Sequence, residues 1–289
     1  MRLLVHHSCK SIICIPLPSF TRFLLFLHKD KNKTMQILLA CAKHMTTRPE
    51  VSPELSTKPR FLKEASRHAL QLAAFTEAEL GKALKCNARL AILNKLRYLS
   101  FFDPEDSGAA VLSYNGMAYR HLRAWEFTEA DYAYANSHLW ICSFLYGLLR
   151  PMDRIKNYRL EGSVKLPDND DRNMFDFWKP LLTDVLIESV KQDDGYLVHL
   201  ATEEMTRLFD WKRVKREVKV LEPQFFVRDG EKLKNIVVYA KMCRGAMTRY
   251  ILQNRLTTPE ELTAFSYEEF RYQPEALPAK TDVLPFVLE

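Results

Sequence analysis

The stretch LYGLLRPMDRIKNYRLEG, residues 145–162, concentrates the groups best equipped for chemistry. It holds Tyr146, Arg150, Asp153, Tyr158, Arg159 and Glu161 directly behind the apolar run Leu139–Phe144, so guanidiniums and phenols are delivered where a buried element reaches the surface. Arginine offers a planar fork of donors matched to carboxylate or phosphate, and tyrosine combines a stacking face with a hydroxyl. That mixture suits recognition of an anionic ligand, nucleic acid included. A polar loop braced by salt bridges would carry the same letters, and surface pairs of that kind contribute little.

Elements that could position these groups follow from the flanking patterns. QILLACA at 36–42 reads as a buried strand leading to a loop with Lys43 and His44 and a Pro-containing stretch to Pro59. Residues 61–99 read as two or three packing helices, with Thr76–Glu79 a capping box between them. AAVLSYNGMAYRHL, 109–122, reads as a short strand, a turn at Asn115-Gly116 with positive φ, and a helix bearing Tyr119, Arg120 and His121. Thr128 with Asp131 starts a helix running to about His138, ahead of the strand that leads into the arginine-rich segment. An amphipathic helix is expected over 173–192, with Pro180 near its start or at a kink and Gly195 ending the unit.

YLVHLA, 196–201, reads as another buried strand whose His199 is expected to be a hydrogen-bonded core residue, followed by an acidic helix start at Thr202–Glu204. WKRVKREVKVLEPQFFVRDG, from Trp211, crowds Lys212, Arg213, Lys215, Arg216 and Lys219 around β-branched runs, the pattern of a basic or charged edge strand. KLKNIVVYA supplies a last strand and delivers the chain into a helix with Lys241, Arg244, Arg249 and Arg255. At 100° per residue Lys241, Arg244 and Arg255 form one basic stripe and Arg249 turns away. Thr258-Pro259-Glu260-Glu261 begins a short final helix. Strands and helices interleave without a strict βαβα rhythm, which predicts a mixed α/β or α+β domain, a mixed sheet surrounded by helices.

The chain's 289 residues carry a net charge of +6, but residues 1–34 hold six basic residues against Asp30 and account for five of those charges. Overall basicity therefore says nothing of the folded part; only local clusters can. Pro16, Pro18 and Arg22 interrupt the apolar pieces of this leader, and Leu38–Cys41, although it matches a lipoprotein cleavage box, lacks a long enough apolar lead. The division predicted is a non-native or disordered extension over 1–34, with Met35 as the true start, and a single domain over 35–289. No apolar span reaches membrane length, so no membrane partner is expected. The six cysteines, at 9, 14, 41, 86, 142 and 243, form no CxxC pair and read as the reduced thiols of a cytoplasmic protein. Cys142 is expected in the core, and Cys243, between Lys241 and Arg244, is the thiol that neighbouring charge could activate. The histidines form no metal constellation, and nucleotide, hydrolase and calcium-loop signatures are missing, so neither metal nor cofactor is expected.

Several segments in linear order resemble the YaaA-like peroxide stress proteins of bacteria. Of Ala40–His44, which match the segment after that family's opening strand, only Ala42 and Lys43 keep its residues. Tyr114-Asn115-Gly116-Met117-Ala118-Tyr119 keeps the glycine and last tyrosine of its central segment without the aspartate. Leu145–Asp153 with Tyr158–Glu161 is the strongest match. Phe177-Trp178, His199–Thr202 (imidazole in place of an amide) and Tyr239-Ala240-Lys241 with Arg244-Gly245, Arg249 and Asn254–Leu256 follow in order. The resemblance implies a cytoplasmic protein that limits iron-dependent peroxide damage and binds DNA through a basic cleft with a helix-hairpin-helix-like element. On that reading Lys43, Arg150, Arg159, Lys241, Arg244 and Arg249 line one cleft around Asn115-Gly116, with Tyr119, Tyr146 and Tyr158 free to stack on bases. The alternative is an enzyme acting on a nucleotide, nucleic acid or other anionic small molecule in the same cleft, with Glu161 or Asp153 as the general base. A third class, protein interaction or iron handling without nucleic acid, finds no Cys/His cluster to support it.

Overall fold

The computed structural model describes residues 34–46, 53–103, 107–278 and 282–289. Cys9, Cys14 and the predicted extension, Thr34 apart, lie outside the described residues. In chain order the elements are β1 Gln36–Ala40, α1 Leu62–Ala74, α2 Glu77–Ala83, α3 Ala88–Leu99, β2 Ser107–Ala109, α4 Ala110–Ser113, α5 Met117–Leu122, α6 Glu129–His138, β3 Leu139–Ser143, β4 Gly147–Leu149 and β5 Arg154–Lys156. They continue as α7 Met174–Gln192, β6 Tyr196–His199, α8 Glu203–Thr206, α9 Trp211–Glu217, β7 Lys219–Asp229, β8 Lys232–Lys234, α10 Val237–Asn254, β9 Ser266–Tyr267, β10 Phe270–Tyr272 and β11 Val283–Leu288. The result is an α+β fold on a mixed sheet, as the interleaved pattern implies.

The sheet runs β4-β3-β1-β6-β7-β11-β10-β9, with β8 on β7. β1 is central: it pairs in parallel with β3 on one side and β6 on the other, and Ile37, Leu38 and Leu39 are at most 1% exposed. A strand buried on both faces needs a continuous apolar run, which is what ILL supplies. Helix starts follow their caps. Thr76 with Glu79 and Thr128 with Asp131 close capping boxes, while Asn87 and Asn173 accept from Leu90 and Asp176 amides. Pro180 lies inside α7 rather than at its start; it is exposed, so water can reach the Asp176 carbonyl that proline leaves unpaired. The opposite face of α7 buries Phe177, Trp178, Leu182, Leu186 and Val190.

Four local expectations change. Residues 211–217 form α9, capped by Asp210 accepting from the Arg213 amide, so Lys212, Arg213, Lys215 and Arg216 sit on a helix and not a strand. Their charges are balanced there: Arg213 pairs with Asp184 and Glu217, and Lys215 with Glu222. β7 is an interior strand between β6 and β11, not an edge. KLKNIVVYA contains only the short β8, because Val237 already begins α10; β-branched residues lose little in a first turn that is not yet crowded from behind. Likewise 110–113 is a helical turn, with only 107–109 extended.

Buried histidine makes the fold acid-sensitive. His68 is fully buried; Asn169 Nδ2 donates to its Nε2 at 3.1 Å, and burial, with Arg67 nearby, pulls its pKa down to about 4. The unfolded chain therefore binds this proton more readily than the native one. Its contribution is fully present above pH 6.5 and is lost as pH falls through 6.5 toward 4, about 3 kcal/mol in all. Urea denaturation of His68→Gln is expected to show a flatter stability profile than wild type across that window.

Candidate anion-binding site

A cavity of about 520 Å³ opens at the carboxyl ends of the three parallel strands β1, β3 and β6. Neighbouring strand ends at which the chain departs to opposite sides leave a crevice there, the usual place for a ligand in an open α/β sheet. Cys41–His44 enter from the end of β1, Phe144 from β3, and Leu200, Thr202 and Glu204 from beyond β6. The loop after β5 adds Tyr158, Arg159 and Leu160; the start of α5 adds Gly116–Tyr119; α10 adds Lys241 and Arg244.

Four cations thus converge from three segments. Lys43 Nζ lies 2.8 Å from both oxygens of Glu161, and Arg159 Nη2 lies 3.3 Å from Oε1, so the buried carboxylate is held between them. Arg159 Nε also donates to the Leu84 carbonyl at 3.5 Å, and the Tyr98 hydroxyl donates to the Arg159 carbonyl at 2.5 Å. Lys241 and Arg244 have no carboxylate partner among the described residues. Two of the cavity's cations are therefore braced and two are uncompensated, an arrangement that attracts an anion. Glu161→Gln removes the brace; a urea-denaturation loss of about 2 kcal/mol is expected, with anion affinity falling only as far as Lys43 and Arg159 loosen.

The floor is phenolic. Tyr158 Oη is 2.8 Å from Tyr114 Oη and 2.6 Å from Ser143 Oγ, while Tyr119 donates to the Ala40 carbonyl at 3.0 Å. Burial raises all three phenols well above their ordinary value, so they stay neutral. Burial, with Glu204 adding to it, also pushes the Cys41 thiol up to about 12. This floor is built of weak donors and acceptors.

Other expected site residues stand elsewhere. Arg150 stacks its guanidinium 3.3 Å over the Trp140 ring and donates to Gln36 and Ser137, in a separate hollow of about 310 Å³ by Arg60 and Asp153. Asp153 accepts from the Arg150 amide and the Thr57 hydroxyl at 2.8 and 2.7 Å, and so braces that turn away from the cavity. Arg249 pairs with Glu126 at 2.9 Å and donates to the Leu122 and Arg123 carbonyls, closing the carboxyl end of α5. Arg255 breaks the predicted stripe: it ends α10 in the left-handed region and binds Asp131 at 2.7 Å. Tyr146 is 1% exposed, its hydroxyl accepting from the Lys156 amide. Tyr119 and Tyr158, 3% and 4% exposed, reach the cavity only as floor, so neither offers a free ring face.

Asn115-Gly116 is not a positive-φ turn. Gly116 is extended, at φ −93°, and its need is space, because a Cβ would come within 2.7 Å of the Ala42 Cβ on the facing wall. Asn115 ties the same walls together by donating its amide to the His44 carbonyl at 2.9 Å. Cys243 is buried, its thiol raised to about 12 by burial, with no sign of thiolate stabilisation. Cys142 lies in the core, as its apolar run predicts.

Cys41, Phe144, Leu200, Thr202 and Glu204 were not expected in the site. Each directly follows a strand, or stands a few residues beyond one, and that position at the end of a parallel strand is the signal that could have found them. A further feature adjoins the cavity. α2 and α3 form a tight helical hairpin whose Lys82, Lys85 and Arg89 are exposed and unpaired among the described residues, and Leu84 within it accepts the Arg159 bond.

Fold and cavity together describe an α+β protein with a cation-lined cavity at the carboxyl ends of a parallel strand trio. The chain belongs to the peroxide stress protein YaaA family, whose profile matches residues 35–276. It is 45% identical to a UPF0246 protein of Phocaeicola vulgatus over 239 residues, 82% of this chain and 94% of that one. A UPF0246 protein of Bacteroides fragilis is 46% identical over 239 residues (82% and 93%), and one of Porphyromonas gingivalis 43% over 245 residues (83% and 95%). Among the described residues no helix is long and apolar enough to cross a membrane.

Proposed function

We propose that this peroxide stress protein binds DNA in the cytoplasm through the cationic cavity and its rim, and so limits iron-dependent oxidative damage. The observation that carries the reading is the convergence of Lys43, Arg159, Lys241 and Arg244 on one hollow, with Lys241 and Arg244 making no ion pair among the described residues. The hairpin bearing Lys82, Lys85 and Arg89 supports it, since a tight helical turn beside the cavity offers further cations to a phosphate backbone. A hollow of this size takes one nucleotide rather than a duplex, so single-stranded or frayed DNA is the favoured form. Fluorescence anisotropy with a labelled oligothymidylate, titrated from 50 to 200 mM salt, tests the reading. The log-log slope is expected near −0.7 for each phosphate neutralised. Salt-independent affinity, or none for any strand, sinks it.

A second reading, an enzyme acting on a nucleotide or other anionic small molecule, is favoured by the cavity's position at the ends of parallel strands and by its largely apolar walls. Glu161 is its candidate base. Both Glu161 oxygens are engaged by Lys43 and one also by Arg159, which fits a brace better than a proton acceptor. Turnover by wild type that Glu161→Gln abolishes while ligand binding persists would favour chemistry.

A further inference from the structure

Helix α3 has two unlike faces. Ala91, Asn94 and Tyr98 are buried against the protein, while Ile92, Leu93, Leu96 and Leu99, with Phe102 three positions further on, are between 41% and 58% exposed. At 100° per residue Ile92, Leu96, Leu99 and Arg89 fall within ~80° of one another, with Leu93 beside them. Phe102 is held in place by the buried Phe101, whose ring it meets edge-on at 5.3 Å between centroids. Single exposed leucines are ordinary. Five large apolar side chains in line leave on the order of 500 Å² of apolar surface in water, at the upper end of what a monomer carries.

The ridge has a 3-4-3-4 spacing through Arg89, Ile92, Leu96, Leu99 and Asp103, the alternation of a seam between helices, with a cation closing one end and an acid the other. Arg89 and Asp103 each stand seven positions from Leu96, both are exposed, and neither side chain makes an ion pair among the described residues. Asp103 is fixed through its backbone, which donates to the Ser100 carbonyl at 3.1 Å and accepts from Lys156 Nζ. A contact between two copies requires one patch to be complementary to itself under a two-fold rotation. With the helices antiparallel and the axis at Leu96, Arg89 of each copy comes to Asp103 of the other, and Ile92 lies beside Leu99 between them. Parallel helices would set Arg89 against Arg89.

We propose that this ridge is the interface of a symmetric homodimer, in which α3 of two copies pack antiparallel about Leu96 and exchange Arg89–Asp103 ion pairs. A second copy is the occupant because the charge pattern is complementary to itself, a symmetry that an unrelated partner does not require. Covering the ridge and its polar margin on both copies buries on the order of 1,200 Å², the lower end of specific interfaces, as a reversible dimer needs. Lys82 and Lys85, which precede α3, take no part in the pairing. The dimer does not depend on what the cavity binds.

Sedimentation velocity on the full chain from about 2 to about 200 µM tests this, since mass action populates a reversible dimer as concentration rises. The weight-average mass is expected to climb from 33.8 kDa toward twice that value. Leu96→Glu sets two carboxylates face to face at the axis and is expected to raise the dissociation constant at least about 100-fold. Its urea midpoint, taken where wild type is monomeric, should be unchanged, because Leu96 is exposed in the single copy. Arg89→Asp and Asp103→Arg each oppose like charges twice and should each weaken the dimer about tenfold, while the double swap restores both pairs and should return to within about threefold of wild type. A monomeric wild type at every concentration overturns the dimer. In that case a lowered urea midpoint in Leu96→Glu would mean that the chain covers the ridge itself, and an unchanged one that the ridge is open to a different protein. A dimer that survives Leu96→Glu lies on another face and overturns the interface, and a double swap no tighter than the single ones overturns the antiparallel register.

Discussion

Gly245→Ala is expected to destabilise the protein by about 3 kcal/mol, measured as the urea midpoint at constant slope. Gly245 lies in the middle of α10 where that helix crosses α5, and a Cβ built there would stand 1.9 Å from the Ala118 carbonyl oxygen and 2.7 Å from its carbon. The obstacle is backbone, so no rotamer change relieves it and one helix must move. Alanine also gains about 1 kcal/mol in helix propensity and a few tenths more by restricting the unfolded chain. The clash is the larger effect. α5 carries Met117–Tyr119 and α10 carries Lys241 and Arg244, so separating the helices spreads two walls of the cavity, and phosphate affinity should fall with stability. Gly81→Ala, whose Cβ would meet nothing nearer than 3.6 Å, is expected to stabilise slightly. A Gly245→Ala variant as stable as wild type would mean that α5 and α10 do not pack this closely.

Lys241→Ala with Arg244→Ala is expected to lower affinity for oligothymidylate at least about 100-fold, since each charge-assisted contact removed is worth about 1.5–3 kcal/mol. The salt slope should shrink by about 1.4 if each cation neutralises one single-strand phosphate. Because neither side chain has a carboxylate partner among the described residues, the double variant leaves no buried acid stranded and should fold normally. Arg150→Ala with Arg249→Ala is the informative contrast. Those guanidiniums are engaged with Trp140, Gln36 and Ser137, and with Glu126 and two carbonyls. Their loss is expected to cost stability while leaving affinity within a few-fold of wild type. If the contrast pair weakens DNA binding as much as Lys241 and Arg244 do, the DNA path runs over the outer surface and not through the cavity.

Which residues become site and which become brace follows from what each cation meets. Arg150 and Arg159 stand nine residues apart in the most suggestive segment of the chain. Leu145–Asp153 turns back through β4, which pairs antiparallel with β3, so Arg150 ends near Gln36 at the start of β1. The chain then returns through β5 to the other end of the sheet, where Arg159 meets Lys43. A reversal of direction inside one segment is written in pairing across the sheet, and the letters of the segment alone do not carry it. The same holds for Arg249 and Arg255, which share a helix with Lys241 and Arg244 but meet Glu126 and Asp131 brought alongside by other helices.

What the residues determine by themselves is local. Apolar runs such as ILL and LWIC dictate buried strands, and Thr-x-x-Glu and Thr-x-x-Asp boxes set helix starts, because these depend on neighbours a few positions apart. Family membership is legible too, in the order of its motifs. Tertiary structure decided the rest. It made 211–217 helix and β7 interior, brought Cys41, Phe144 and Leu200 to one crevice, and left Lys241 and Arg244 without an ion-pair partner among the described residues. Those outcomes depend on contacts between positions tens to more than a hundred residues apart, and on which distant groups the fold brings within hydrogen-bond reach.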